Sequence, residues 1–177
     1  MTPIPPLPDT AVVLGARVDD WRAAVREAGR ALTRSGSTRS EYADRMIAVI
    51  EEFGAYVVIA PGLALAHARP GADVKSEGLA IVTLAEPVAF GHPHNDPVRV
   101  VVGLAVSNAE DHVAFVARLA NAFNDHRVVG RVSRSTSAAE VRELLGLASS
   151  ADGGADGADR RAGAAGEGGV AGSAAGA

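Results

Sequence analysis

Apolar residues along this chain recur at two different spacings, and the change from one to the other marks out its elements. "AVVLGARV", Ala11 to Val18, reads as a short strand. After it Trp21, Ala24, Val25, Ala28 and Leu32 fall three and four residues apart, which predicts a helix from Trp21 to about Leu32 with Asp19 and Asp20 as candidate caps. The break "RSGSTRS" separates it from a second helix, Ser40 to about Phe53, whose stripe is Tyr42, Met46, Ile47 and Ile50 and whose stop is Gly54. Three β-rich runs come next: "YVVIA", "GLAIVTLAEPV" and "VRVVVGLAV". The last is apolar almost throughout, as a strand covered on both faces must be.

Helical spacing then returns. "SNAEDHVAFVARLANAF" has Ser107 or Asn108 at its start and acids in its first turn, and "STSAAE" opens a final helix, Ser137 to Leu147, with a capping box from Ser137 to Glu140 and Gly146 near its end. Two helices precede the main strands, so strands and helices alternate imperfectly. The expected architecture is α/β, a mixed β-sheet flanked by helices on both faces.

Composition sets the limits of this domain. From Ala148 the chain turns to alanine and glycine and holds 9 of its 20 glycines with no aromatic residue. Such a segment cannot bury enough apolar surface to offset its ordering entropy, so residues 148–177 are expected to be a disordered tail. Residues 1–9 are expected to be a loose proline-rich lead-in, leaving 10–147 as one domain of ordinary size. With no cysteine there is no thiolate metal site and no cysteine nucleophile. A net charge of -4, with Lys75 the one lysine, leaves no basic face for nucleic acid. The apolar runs are too short to span a bilayer, and a soluble cytoplasmic protein is expected.

The chemistry therefore rests on five histidines, His67, His92, His94, His112 and His126. His126 is expected just past a helix, solvated and favouring the C-terminal end of the dipole, without function. His92 and His94 in "FGHPHNDP" have the alternate spacing of paired metal ligands, but Pro93 and Asn95-Asp96-Pro97 read as a turn, and zinc needs a third and usually a fourth converging ligand. His112 stands at the start of a predicted helix, either as an exposed polar residue or as a group placed to stabilise an anion beside free backbone N–H groups. Spacing does not choose. His67 lies in "APGLALAHARPG", a segment of small residues read as a loop between two Pro-Gly turns, where Gly62, Ala64, Ala66 and Ala68 leave room for another molecule's backbone. It is either a buried histidine bonded to a carbonyl or an imidazole competent as a nucleophile toward phosphorus, and the residues alone leave both readings open.

Taken in order, "YVVIAPGLALAHARPG", "GLAIVTLAEPVAFGHPHNDPVRVVVGLAV" and "EDHVAFVARLANAFND" resemble the enzyme IIA domain of the bacterial sugar phosphotransferase system, mannitol and fructose class, in its ascorbate-type branch. The resemblance covers nearly all of Thr10 to Leu147. It implies that His67 takes a phosphoryl group from the phosphohistidine of the carrier protein HPr and passes it to enzyme IIB, with His112 beside it holding the phosphate. There are two departures. Ala66 stands where the family has proline, and Val49 where mannitol-type members have arginine. The second fits the ascorbate-type branch, in which an arginine follows the histidine in the manner of Arg69, the third candidate group.

By that resemblance His67 attacks in line through a loose transition state, so positioning and electrostatics carry the catalysis. No cofactor, nucleotide or metal is implied, because the donor is already a phosphoramidate. Enzyme IIB of this class accepts on cysteine, which places the acceptor on a separate chain. The oligomeric state, a homodimer included, stays open, as does the sugar. Two other readings compete with the transport component: a regulatory phosphohistidine module of the same fold, and a metal site built from His67, His92, His94 and His112.

Overall fold

The computed structural model describes residues 4–147; the expected alanine and glycine tail lies outside them. Five strands, β1 (Val12–Ala16), β2 (Val58–Ala60), β3 (Leu63–His67), β4 (Gly78–Val88) and β5 (Val98–Ala105), form one sheet in the order β1-β4-β5-β3-β2. The pairs β1–β4 and β3–β5 are parallel, while β4–β5 and β2–β3 are antiparallel, so the sheet is mixed as expected. Five helices accompany it: α1 (Trp21–Arg34), α2 (Glu41–Phe53), α3 (Ala109–Ala122), α4 (His126–Ser133) and α5 (Ala138–Leu144).

Every residue of β5 from Val100 to Ala105 is buried. Successive side chains of a strand point to opposite faces, so burial without alternation means that both faces are covered. Helices α1 and α4 both pack on β4 and β5. Gly103 lets α1 come close: a Cβ there would lie 3.2 Å from that of Ala28 and 3.3 Å from Leu32. The core gathers Leu63, Leu65, Leu79, Ile81 and Leu104, all essentially without solvent contact, each contributing about 1.5–3 kcal/mol by its burial.

Local chemistry sets the helix ends. The Asp20 carboxylate accepts the N–H of Ala23, Gly54 closes α2 at φ +83°, and the Asn108 side chain accepts the N–H of Asp111. At α5 the Ser137 hydroxyl accepts from Glu140 N–H at 3.2 Å, while the Glu140 carboxylate accepts from Thr136 N–H at 2.9 Å, one residue beyond the cap that a reciprocal box would use.

Three expectations are corrected. The lead-in is not loose over the described residues: Leu7 is buried, and Arg142 donates to its carbonyl at 3.0 Å and to the Asp9 carboxylate at 2.7 Å. His126 does come after a helix, α3 ending at Ala122, but it also opens the next one after the Asp125 cap, so its backbone stands at the positive end of the α4 dipole and not at a helix C-terminus. "LALAH" is not a loop but strand β3, with every residue before His67 buried.

Helices α1 and α2 meet at Gly29, where a Cβ would lie 2.4 Å from the Cβ and 2.8 Å from the Cα of Ala43. Alanine raises helix propensity by about 1 kcal/mol, yet overpacking against backbone costs about 1–3 kcal/mol. The clash wins because a Cα cannot turn aside as a side-chain tip can. Gly29→Ala is expected to lower the free energy of unfolding by up to about 2 kcal/mol, read from urea denaturation; a stabilised variant would show that the two helices separate freely.

Candidate active site

Strands β3 and β5 run parallel with His67 opposite Leu104, so their C-terminal ends lie side by side. β3 ends at His67. β5 leads through Val106, Ser107 and Asn108 into α3, whose first turn carries His112. Two histidines 45 positions apart in sequence are thereby placed at the carboxyl ends of these two parallel strands, the kind of place where α/β sheets bind ligands. Their ring centroids are 4.7 Å apart, with planes inclined by 52°.

His67 is held from below by its own strand. Its Nδ1 lies 2.8 Å from the Leu65 carbonyl, and since a carbonyl only accepts, Nδ1 carries the hydrogen and Nε2 keeps its lone pair. Burial pushes the His67 pKa below its ordinary 6.5; the bond to Leu65 opposes this and the neighbouring His112 adds to it. Burial lowers the His112 pKa as well. Both imidazoles are therefore neutral at neutral pH. The Nδ1 of His112 is buried and has no hydrogen-bond partner among the described residues.

The histidines open into a cavity of about 410 Å³. Val49 and Phe53 of α2 and Tyr56 beyond it form an apolar wall; Arg69 lies on the side next to His67. Tyr56 meets His67 edge-on at 6.2 Å and Phe53 edge-on at 6.5 Å. Arg69 is exposed, and its cation draws the Tyr56 pKa down against the larger rise caused by burial.

His67, His112 and Arg69 thus share one cavity. The other two histidines picked out by spacing do not enter it. His92 and His94 lie in the loop before β5, where His92 Nδ1 accepts the N–H groups of His94 and Asn95 and the Asp96 carboxylate accepts those of Phe90, Gly91 and His92. Among the described residues no group of three or more His, Cys, Asp or Glu side chains could hold a metal ion. The room anticipated around Ala64, Ala66 and Ala68 does not exist either, for all three are buried in the chain's own core. The open space lies instead beyond His67, against Val49, Phe53 and Tyr56. Phe53 and Tyr56 were missed because nothing in their spacing separates a cavity wall from an ordinary helix face; Val49 was singled out, but only as the place of the mannitol-type arginine.

The family model described as phosphoenolpyruvate-dependent sugar phosphotransferase system, EIIA 2, matches residues 6–146. The chain belongs to this family. As an EIIA it is a phosphotransferase component of that system. It is 32% identical over 144 residues to the ascorbate-specific EIIA component of Salmonella choleraesuis, covering 81% of this chain and 94% of the other. The crystal structure of the mannitol IIA of Escherichia coli superposes with a TM-score of 0.68 at 30% identity, over 77% of this chain and 96% of that one. The same mannitol enzyme in complex with phosphorylated enzyme IIB superposes with a TM-score of 0.71 at 29% identity, over 80% of this chain and 97% of that one.

In this EIIA the depressed pKa values link the site to stability. An unfolded histidine takes up a proton below about pH 6.5, whereas His67 and His112 resist until lower pH. The unfolded state then binds more protons, and stability falls as pH drops through that window. The unfolding free energy should therefore decrease between about pH 7 and about pH 5.5, and His67→Asn or His112→Asn should each flatten the decrease. Urea titrations across that range check this, and an unchanged slope in both variants would show that these rings are not the groups resisting protonation.

Proposed function

We propose that this EIIA carries a phosphoryl group on Nε2 of His67, accepting it from phospho-HPr in the cytoplasm and passing it to an enzyme IIB on a separate chain. The observation that carries the reading is the bond from His67 Nδ1 to the Leu65 carbonyl, which fixes the tautomer and aligns a neutral ring beside His112 at the rim of a cavity. The Nε2 lone pair forms the new N–P bond while the donor's N–P bond breaks, its electron pair staying on the donor imidazole. Charge on the three equatorial oxygens is greatest in the loose transition state. His112, whose buried Nδ1 is unpartnered, supplies a donor to one of these oxygens; the first turn of α3 adds the positive end of its dipole. Arg69 at the cavity rim supplies the charge for another.

Phe53 and Tyr56, 58% and 48% exposed, line the cavity beside the histidines, and Val113, 70% exposed, follows His112 on α3, so apolar surface here is left for a partner to cover. That surface suits successive docking of HPr and IIB, and the mannitol relative's complex with phosphorylated IIB supports the second partner. Val49 puts an apolar side chain in the cavity wall where mannitol-type members carry an arginine, and together with the ascorbate-specific relative this favours an ascorbate-type system.

Incubation with phospho-HPr is the direct test. His67→Ala should take up no acid-labile phosphate while keeping its fold, and full labelling of that variant would end the assignment. His112→Ala should slow uptake by about a hundred- to a thousand-fold, the scale of one lost transition-state donor; phosphate mapped to His112 in the parent protein would reverse the roles. The phosphorylated protein should then transfer faster to an ascorbate-type IIB than to a mannitol-type one. Equal rates would remove the ascorbate assignment and leave the carrier chemistry standing, whereas labelling with no transfer to any IIB would favour a regulatory role.

A further inference from the structure

The residues just after His67 are not held by the sheet. Helix α2 holds them. The Tyr42 hydroxyl, wholly buried, donates to the Leu104 carbonyl at 2.7 Å and accepts the Ala68 N–H at 3.1 Å. Leu104 is the residue of β5 in register with His67. A single hydroxyl thus bridges the two parallel strands at the point where β3 stops, and it fixes the peptide that bears the nucleophile on its other side. One turn further on, the Arg45 guanidinium donates to the Arg69 carbonyl at 2.7 Å and to the Asp73 carboxylate. Gly71 is packed on that guanidinium so closely that a Cβ there would lie 2.4 Å from it. Tyr42, Arg45, Val49 and Phe53 lie at helical spacing, and the last two line the cavity.

We propose that Tyr42 and Arg45 are positioning residues for phosphoryl transfer, Tyr42 setting the height and tilt of the His67 ring through Ala68 and Leu104, and Arg45 setting the reach of Arg69 through its carbonyl. The proposal rests on the reading of His67 as the phosphate acceptor. A core tyrosine needing only burial and one partner would not have to bridge two strands. A surface arginine needing only an ion pair would stop at Asp73. Both make their second bond to the backbone of the segment Ala68–Arg69, and that segment carries two of the three proposed site residues on it or beside it. A displacement of about 1 Å at a reacting group can cost a hundredfold in rate, so the support matters beyond its share of stability.

Tyr42→Phe removes one oxygen and keeps the ring, and Arg45→Met removes the guanidinium at the edge of the surface. The readouts are single-turnover phosphorylation by phosphoramidate, a small donor that needs no docking surface, and the nitrogen NMR shifts of the His67 imidazole. Tyr42→Phe should lower the maximal rate about ten- to a hundredfold with the half-saturating donor concentration unchanged, and should move the His67 nitrogens away from the pattern of a single Nδ1–H tautomer. Arg45→Met should lower the maximal rate in the parent protein but add nothing to the loss caused by Arg69→Ala, because it acts through Arg69. Parent rates and shifts in folded Tyr42→Phe would overturn the role of Tyr42, and so would a change in half-saturation alone. Losses that multiply in the Arg45→Met, Arg69→Ala double variant would overturn that of Arg45. Should Tyr42→Phe fail to fold, Tyr42→Trp with circular dichroism and the same NMR readout takes its place: a folded variant with an unmoved His67 signature rejects the proposal. If the parent protein takes no phosphate, the carrier reading fails, and the His67 nitrogen shifts of the variants still decide the positioning.

Discussion

The parallel pairing of β3 with β5 is the constraint on which the rest of this molecule depends. Parallel strands end together, and the segments leaving them are then forced into the same space. β3 ends on His67 itself, and β5 feeds α3, so His112 arrives in the first turn of the helix that follows the strand. If β3 were antiparallel to β5, the two histidines would lie at opposite ends of the sheet. The small residues serve the same pairing. Ala66 faces Gly103 across it, and Gly103 in turn admits α1 against the sheet, so the strand pair that aligns the site is also closely covered by a helix.

That burial reaches the ring of His67, and its effect on charge outweighs the local hydrogen bond. The Leu65 carbonyl favours a protonated ring, yet desolvation has the larger effect and the adjacent imidazole opposes a second positive charge. Two imidazoles with centroids 4.7 Å apart would repel strongly if both were charged. The pair is therefore kept neutral by its surroundings and oriented by backbone.

Much of this could be read from the chain. The Asp20 cap, the Gly54 stop and the stripe of Tyr42, Met46, Ile47 and Ile50 were legible because helix ends and faces obey local rules. β3 was not. Its Leu–Ala alternation has two apolar faces, so no polar positions mark the period, and flanking Pro-Gly pairs imitate loop boundaries. α4 was missed although Val128, Val129 and Val132 recur at helical spacing, because eight residues containing Gly130 are too short a run to stand out from a loop. At the site, His67 and His112 stood out as residue types, but the tautomer, the cavity and the double bonding of Tyr42 arise from contacts between residues far apart in sequence. No local spacing encodes them.

A carrier must release its cargo as readily as it takes it up, and the same burial bears on both steps of the proposed reaction. A less basic imidazole is a somewhat weaker nucleophile, but in the second step it is the leaving group, and there the lowered basicity helps. In the proposed direction of transfer, the Nδ1–H bond to Leu65 tempers this. As the phosphoryl group arrives at Nε2, the ring gains positive character and Nδ1–H becomes a stronger donor to the carbonyl. As the group departs, that gain is given back. Desolvation favours departure and the carbonyl favours arrival, so in the proposed reaction the two effects act in opposite directions at one ring, with desolvation the larger.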